Sequence, residues 1–317
     1  MLIADSETVQ VDQQSAQFLQ RKACDAESAL GRLEKQIRLL EHKVEEAFDE
    51  SHDGAAFTDV DQPWDKPEQV DVWGVPFSRL NLAEVLHQID HLIRRRQPSY
   101  FITANVNYAM LTASHRELHA VNRRAAFVVC DGMPIVWWSK LMGRALPERV
   151  AGSELIYAIS KWASIKGYRI FFLGGAPGVA RAAADKLTQR YPELQVAGVA
   201  TPPFRPLAPP EEAALVDEIR AARPDILFAA LGQPKGEIWV ARMANQLGVP
   251  VSVQLGASFD FVAGGVPRAP LWLQRLGLEW LFRLAQEPQR LSGRYARNAL
   301  FLLRAAGHDV SRLLMGC

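Results

Sequence analysis

Apolar residues in the first fifty positions recur in steps of four and three. They are Leu19, Ala23, Ala26, Leu30, Leu33, Ile37, Leu40, Val44 and Ala47, with charges between them. The periodicity predicts a helix within residues 1–48, about four heptads of apolar spacing and enough for a short coiled coil. A single amphipathic helix docked on its own domain satisfies the same pattern. Residues 49–69, with Gly54, Pro63 and Pro67 among many acids, read as an acidic linker.

From Val70 short β-rich runs alternate with helical stretches. The predicted strands are Val70–Val75, Tyr100–Thr103, Phe127–Cys130, Arg169–Leu173, Gln195–Val199, Ile226–Ala230 and Val251–Leu255. Helices are predicted over Leu82–Arg96, Ser153–Lys166, Gly178–Arg190, Glu211–Ala222 and Lys235–Leu247. Apolar strands alternating with amphipathic helices imply an α/β fold, a parallel sheet with helices on both faces of the Rossmann-like kind. Ligands of such sheets bind at the carboxyl ends of the strands. After Pro270 the strands stop, and helices are expected over Leu271–Leu276, Leu278–Ala285 and Arg290–Leu314, the last broken near Gly307.

Composition narrows the class. An apolar content of 49% is that of a globular chain. No apolar run reaches the ~18 residues that span a bilayer. Acidic Asp5 and Glu7 stand where a signal peptide carries positive charge, so a cytoplasmic location is expected. Cys24, Cys130 and Cys317 are too few and too far apart for a disulfide framework or a zinc site.

The net charge of +1 is a sum of unlike parts. Residues 1–70 hold 16 Asp/Glu against 7 Lys/Arg, a balance of −9, and residues 71–317 hold 19 against 29, a balance of +10. From Arg268 onward there are eight arginines and no lysine. Leu300, Leu303, Ala306 and Val310 share a helical face with Arg297, Arg304 and Arg312 at its side. That composition fits a helix lying on an anionic surface, or an arginine-rich helix at a domain edge.

The predicted strand ends carry the candidate chemistry. Thr103 and Asn105 follow one strand, Asp131 and Gly132 a second, Gly174 and Gly175 a third, and Gly232, Gln233, Pro234 and Lys235 a fourth. The turn Gly174–Gly178 leads to a helix opening at Pro177, where free N–H groups can hold phosphate. An ordinary glycine turn reads the same way. It is not G-x-G-x-x-G, and no acid ends the next strand to grip a ribose, which disfavours a nicotinamide-dependent oxidoreductase. Asp131 is placed to act as a partly desolvated general base, or to cap a helix over Pro134–Leu141. His87/His91 and His115/His119 have metal-like spacing but lie on polar helix faces, and Asp59–Val60–Asp61 lies in the linker. No metal site is expected, and no G-x-S-x-G elbow is present.

Taken in order, these strings resemble the WecG/TagA/CpsF glycosyltransferases. They are Thr103–Ala–Asn105, Cys130–Asp–Gly–Met–Pro134, Pro147–Glu–Arg–Val–Ala–Gly152, Phe172–Leu–Gly–Gly175, Gly232–Gln–Pro–Lys235 and Phe259–Asp–Phe–Val–Ala–Gly264. Arg268–Ala–Pro, Gly277–Leu–Glu–Trp280, Arg283–Leu and Glu287–Pro–Gln–Arg290 follow. The likeness runs from about Val70 to Arg294 and excludes the first 69 residues.

The resemblance implies an inverting, metal-independent transferase without a cofactor. Its substrates would be a UDP-sugar (N-acetylmannosamine, its uronic acid or glucose) and a polyprenyl-diphosphate-linked saccharide. It implies Asp131 as base, with Thr103 and Asn105 orienting the donor. Arg149 would hold diphosphate, with Gly174, Gly175, Gln233, Lys235 and Glu237 also in the substrate site. Residues 70–266 would form the catalytic domain. Residues 267–317 would form a membrane-docking appendage bringing Arg283 and Arg290 to the diphosphate. The expected partners are both substrates, the inner membrane face and, through the first helix, further copies of the chain; nucleic acid is not among them.

Two departures from the family pattern stand out. Its usual Pro–Lys–Gln–Glu reads Pro234–Lys235–Gly236–Glu237, and one arginine before Tyr295 is lost. The missing glutamine keeps a second class open, a catalytically weak nucleotide-sugar-binding scaffold.

Overall fold

The structure, a computed structural model, describes residues 31–49, 65–265, 269, 273 and 278–314. Six strands form one parallel sheet: β3 (Ser99–Ala104), β4 (Val128–Cys130), β5 (Arg169–Gly174), β6 (Gln195–Ala200), β7 (Ile226–Ala230) and β8 (Val251–Gln254), in the order β4-β3-β8-β7-β5-β6. The expected α/β fold forms because these strands are apolar on both faces. In β5, Ile170 and Phe172 pack into one core while Phe171 and Leu173 pack into another.

Residues 70–75 do not form the single strand predicted. They open a separate antiparallel hairpin, β1 (Gln69–Val72) and β2 (Val75–Ser78). Trp73 and Gly74 make the turn, both at positive φ, and Asp71 Oδ1 accepts from the Gly74 N–H at 3.1 Å. A second difference lies between β3 and β4, where two short helices stand, α3 (Val106–Ser114) and α4 (Arg116–Arg124).

Helices cover both faces. On one side lie α2 (Leu82–Arg95), α6 (Gly152–Lys166), α7 (Val179–Arg190) and the short α10 (Ser258–Ala263). On the other lie α3, α4, α8 (Pro209–Ala222) and α9 (Lys235–Leu247). Helix α5 (Met133–Leu141) follows β4. From β5 the chain crosses to β6, and from β7 it crosses the opposite way to β8. The adjacent ends of β5 and β7 therefore open a crevice, the topological switch point where such sheets bind ligands.

The first helix, α1, is described over 31–49. Its Ile37, Leu40, Val44 and Ala47 are buried in the same core as Trp162 and Leu187. Arg190 of α7 pairs with Glu34 at 3.0 Å and Glu41 at 2.8 Å, Lys161 of α6 pairs with Glu45 at 3.1 Å, and Phe48 sets its ring edge-on to Trp162. The expectation of a seam between copies does not hold for these residues, because the apolar stripe is spent on the chain's own α6 and α7. A stripe of that width serves either contact. Its first half, Leu19–Leu30, lies outside the described residues, as do residues 50–64 with Asp59 and Asp61.

Toward the end of the chain run the helices Glu279–Gln286, here α11, and Pro288–Leu314, here α12. The latter continues unbroken through Gly307, because one solvent-facing glycine weakens a helix by only about 1 kcal/mol. The predicted Leu271–Leu276 helix falls almost wholly outside the described residues. No described helix is long and apolar enough to cross a membrane.

If α1 belongs to the core, a charge in its buried stripe destabilises the whole molecule. Val44, at 0% exposure, gives the sharpest case: Val44→Asp is expected to lower the unfolding free energy by about 3 kcal/mol or more in urea titration. A change under about 0.5 kcal/mol, the usual range for surface positions, would contradict the docking.

Candidate active site

The carboxyl edge of the sheet brings together most of the residues singled out by sequence. Asp131 follows β4, and its N–H donates to Ala104 O at the end of β3 at 2.9 Å. Its side chain does not cap α5, whose N-cap is Gly132 without a side-chain bond, so the capping alternative fails. Instead the carboxylate accepts from the Gly152 N–H. A Cβ on Gly152 would stand 3.7 Å from Asp131 Oδ2 and 3.5 Å from Ser258 Oγ, which locates the start of α10 beside the carboxylate. Burial lifts the Asp131 pKa to about 7. Arg149 and the Gly152 N–H pull against that shift, while the carboxylates of Glu279 and Glu154 add to it.

Arg149 is the charge that Asp131 faces. Its guanidinium donates to Glu154 at 3.0 Å and to Glu279 at 3.1 Å, all three side chains largely buried. Burial works against its charge, but Glu154, Glu279 and Asp131 outweigh that, and its pKa is raised. Gln36 of α1 donates to the same Glu154 oxygen at 3.2 Å. A loop, two helices and the α11 segment thus meet on one arginine, whose forked donors suit several acceptors at once.

Thr103 and Asn105 sit one strand inward. Thr103 is buried and donates to Gln254 O at 3.2 Å. Asn105 is the N-cap of α3, its Oδ1 accepting from Tyr108 N at 3.0 Å, which leaves its Nδ2 outside that bond. Both therefore have a structural task that the sequence reading did not assign.

At the switch point the backbone is tight. Gly174 and Gly175 have φ of 98° and 76°, and a Cβ on Gly174 would lie 2.7 Å from Ala230 O. Only glycine fits there. Helix α7 starts one residue later than predicted, with Gly178 as N-cap and Pro177 ahead of it.

Across the crevice Asn107 donates to Gln233 Oε1 at 2.9 Å, and Gln233 Nε2 donates to Glu237 Oε1 at 3.1 Å. Glu237 is 4% exposed. Burial raises its pKa to about 7, against its own backbone N–H and Gln233. Its Oε2 and the Nε2 of Gln254 are both buried without a partner. Lys235 starts α9 and is exposed.

Arg283 of α11 stacks its guanidinium over Phe261 of α10 at 5.0 Å. Arg290 lies in α12. His87 is not simply solvated: it sets its ring edge-on to Trp162 at 5.6 Å. Sequence reasoning missed Asn107, Glu154, Ser258, Gln254 and the role of Glu279. Asn107 and Glu154 lie two residues beyond Asn105 and Gly152, the one signal that could have found them.

Residues 70–313 match the model of the glycosyl transferase WecG/TagA/CpsF family. A Bacillus spizizenii protein named N-acetylglucosaminyldiphosphoundecaprenol N-acetyl-beta-D-mannosaminyltransferase is 30% identical over 221 residues, 68% of this chain and 84% of its own. Proteins of the same name from Bacillus subtilis and from Staphylococcus aureus strain MW2 are each 29% identical. They cover 69% and 75% of this chain, and 84% and 92% of their own lengths.

The raised Asp131 pKa has a consequence for stability. Its folded-state pKa of about 7 lies above the ordinary 3.8, so the fold binds more protons than the unfolded chain between those values and loses stability as pH rises through them. Asp131→Asn removes that cost. The variant is expected to melt higher than wild type at pH 8, with the gap closing toward pH 4. An equal gap at both pH values in thermal scans would contradict the desolvated carboxyl.

Proposed function

The chain belongs to the WecG/TagA/CpsF glycosyl transferase family, and from that premise we propose that it moves a hexosyl residue from UDP to a polyprenyl-diphosphate-linked N-acetylglucosamine. N-acetylmannosamine, which the relatives' names specify, is the proposed sugar, and surface polysaccharide is the proposed product. The observation that carries the reading is Asp131, a carboxyl lifted to about 7 at the sheet's carboxyl edge, beside an arginine gripped by two carboxylates.

In this reading Asp131 takes the proton from the acceptor hydroxyl. The freed oxygen attacks the anomeric carbon opposite the departing diphosphate. A new C–O bond forms as the bond to UDP breaks, and the configuration inverts. Catalysis then depends on cations and N–H groups set in advance where charge collects on the leaving UDP, with no metal ion. Arg149, Lys235 and the N–H groups that open α7 fill that role. Glu154 and Glu279 hold the arginine's plane, so it meets the diphosphate without reorganising. Thr103 and Asn105 orient the donor.

The acceptor is lipid-linked, so the enzyme must work at a membrane face. Helix α12 buries Leu291 and Asn298 and packs Phe301 against Trp73. Trp138 of α5 donates to its Asp309 at 2.8 Å. On its outer side Leu300 and Leu303 are 48% and 73% exposed, next to exposed Arg297 and Arg304. Trp280 and Leu281 of α11 and Trp137 and Leu141 of α5 are exposed as well. Apolar residues interleaved with arginine suit the headgroup region of an anionic leaflet. Docking there would bring Arg283 and Arg290 to the acceptor diphosphate.

Two measurements test the reading. Asp131→Asn should cut UDP release with a GlcNAc-diphosphate-lipid acceptor by about 10²–10⁴-fold. In wild type kcat/KM should climb with pH and level off above about 7. Near-wild-type turnover in the variant, or a flat profile from pH 5 to 8, would overturn the base. For docking, Leu300→Glu combined with Leu303→Glu should abolish co-sedimentation with phosphatidylglycerol vesicles. Unchanged binding would overturn that assignment.

A further inference from the structure

Gln254 ends β8, between β3 and β7, in the middle of the site's floor. It is 5% exposed. Its Oε1 accepts from Leu231 N at 3.2 Å, and its backbone carbonyl accepts from Thr103. Its Nε2 is buried without a partner, although a buried donor left unmade is costly. The side chain occupies an unusual place. A Cβ built on Gly236, in the first turn of α9, would stand 2.5 Å from Gln254 Cδ and 2.7 Å from its Nε2. Those distances are too short for real atoms, so the Gln254 amide fills the volume that a side chain at 236 would enter. Glycine at 236 is the condition for it. Gln233 is not free to serve instead, since Asn107 and Glu237 hold both ends of its amide.

We propose that Gln254 supplies, from the sheet, the amide that contacts the transferred sugar, in place of a side chain at 236. Resting on the transferase reading above, this gives Gln254 a defined part. One end fixes the loop after β7 through Leu231, and the other donates to an oxygen of the sugar. The departure at Gly236 is then a relocation of an amide rather than its loss. The carboxyl of Glu237, whose Oε2 also lacks a partner, extends the same polar floor.

The test is a swap. Gln254→Met keeps the length of the side chain and removes the amide; kcat/KM for the UDP-sugar should fall about 10- to 100-fold, with the melting temperature held. The double variant Gln254→Gly with Gly236→Gln returns the amide from the helix and should regain most of what Gln254→Gly loses. Gly236→Gln alone forces two side chains into one volume and should melt lower. Activity of Gln254→Met within about 3-fold of wild type, or a folded double variant no better than Gln254→Gly, would overturn the proposal. The transferase reading fails separately, if wild type releases no UDP from any UDP-sugar. Calorimetry then decides for Gln254: weaker UDP-sugar binding in Gln254→Met supports it, and equal or absent binding in both proteins overturns it.

Discussion

Asp131 has lost most of its water to the sheet edge, and the surrounding structure is arranged around that loss. A carboxyl desolvated with no cation nearby would stay neutral and could not accept a proton. One beside an unrestrained arginine would ionise early and be a weak base. Here the arginine is shared: Arg149 also serves Glu154 and Glu279, so Asp131 receives part of its field and settles at about 7. The three carboxylates come from the end of β4, from α6 and from α11. The proton affinity of this carboxyl is thus tied to the packing of elements far apart in the chain. Gln36 adds α1 to the same group through Glu154.

The other end of the site depends on close approach rather than charge. Gly174 lets the end of β5 touch the Ala230 carbonyl, and Gly236 lets α9 sit down on Gln254. Between them the chain of Asn107, Gln233 and Glu237 spans from α3 to α9 by hydrogen bonds of 2.9 and 3.1 Å. That crevice is lined by amide and carboxyl groups, whereas the opposite end sets one guanidinium, Arg149, among the carboxyls of Asp131, Glu154 and Glu279.

The sheet was legible because its strands are apolar on both faces and bounded by turn residues. The strand limits around Ile226–Ala230 and the helix Lys235–Leu247 agree to the residue. Asp131 and Gln233 were legible at strand ends, and Arg149 and Glu237 only through the ordered motifs of the family resemblance. What could not be read were pairings over long separations. Nothing local marks Glu279 as a partner of Arg149 130 positions away, or Gln254 as the reason for Gly236. Helix periodicity failed differently. The stripe from Ile37 to Ala47 has the spacing of a seam and of a core face alike, and only the presence of Trp162 and Arg190 opposite decides between them. The turn at Trp73 and Gly74 was missed although Asp71 and Gly74 mark it, because the three valines around them carry the spacing of a strand and Trp73 is an uncommon residue at positive φ.

The uneven charge along the chain takes a new meaning from the same contacts. Glu34, Glu41 and Glu45 of the acidic first helix meet Arg190 and Lys161 of the basic body. Part of the opposition between −9 and +10 is therefore closed within one molecule. Partly exposed pairs of this kind contribute little to stability individually, but they fix the register in which α1 lies across α6 and α7, and so where Gln36 reaches Glu154. In the terminal helix Arg297 donates to its own helix at Gly293 O, and Arg294 stacks on Tyr295. The acidic helix thus settles onto the enzyme body, while Arg297 and Arg304 stay exposed beside Leu300 and Leu303 at the far end of the chain.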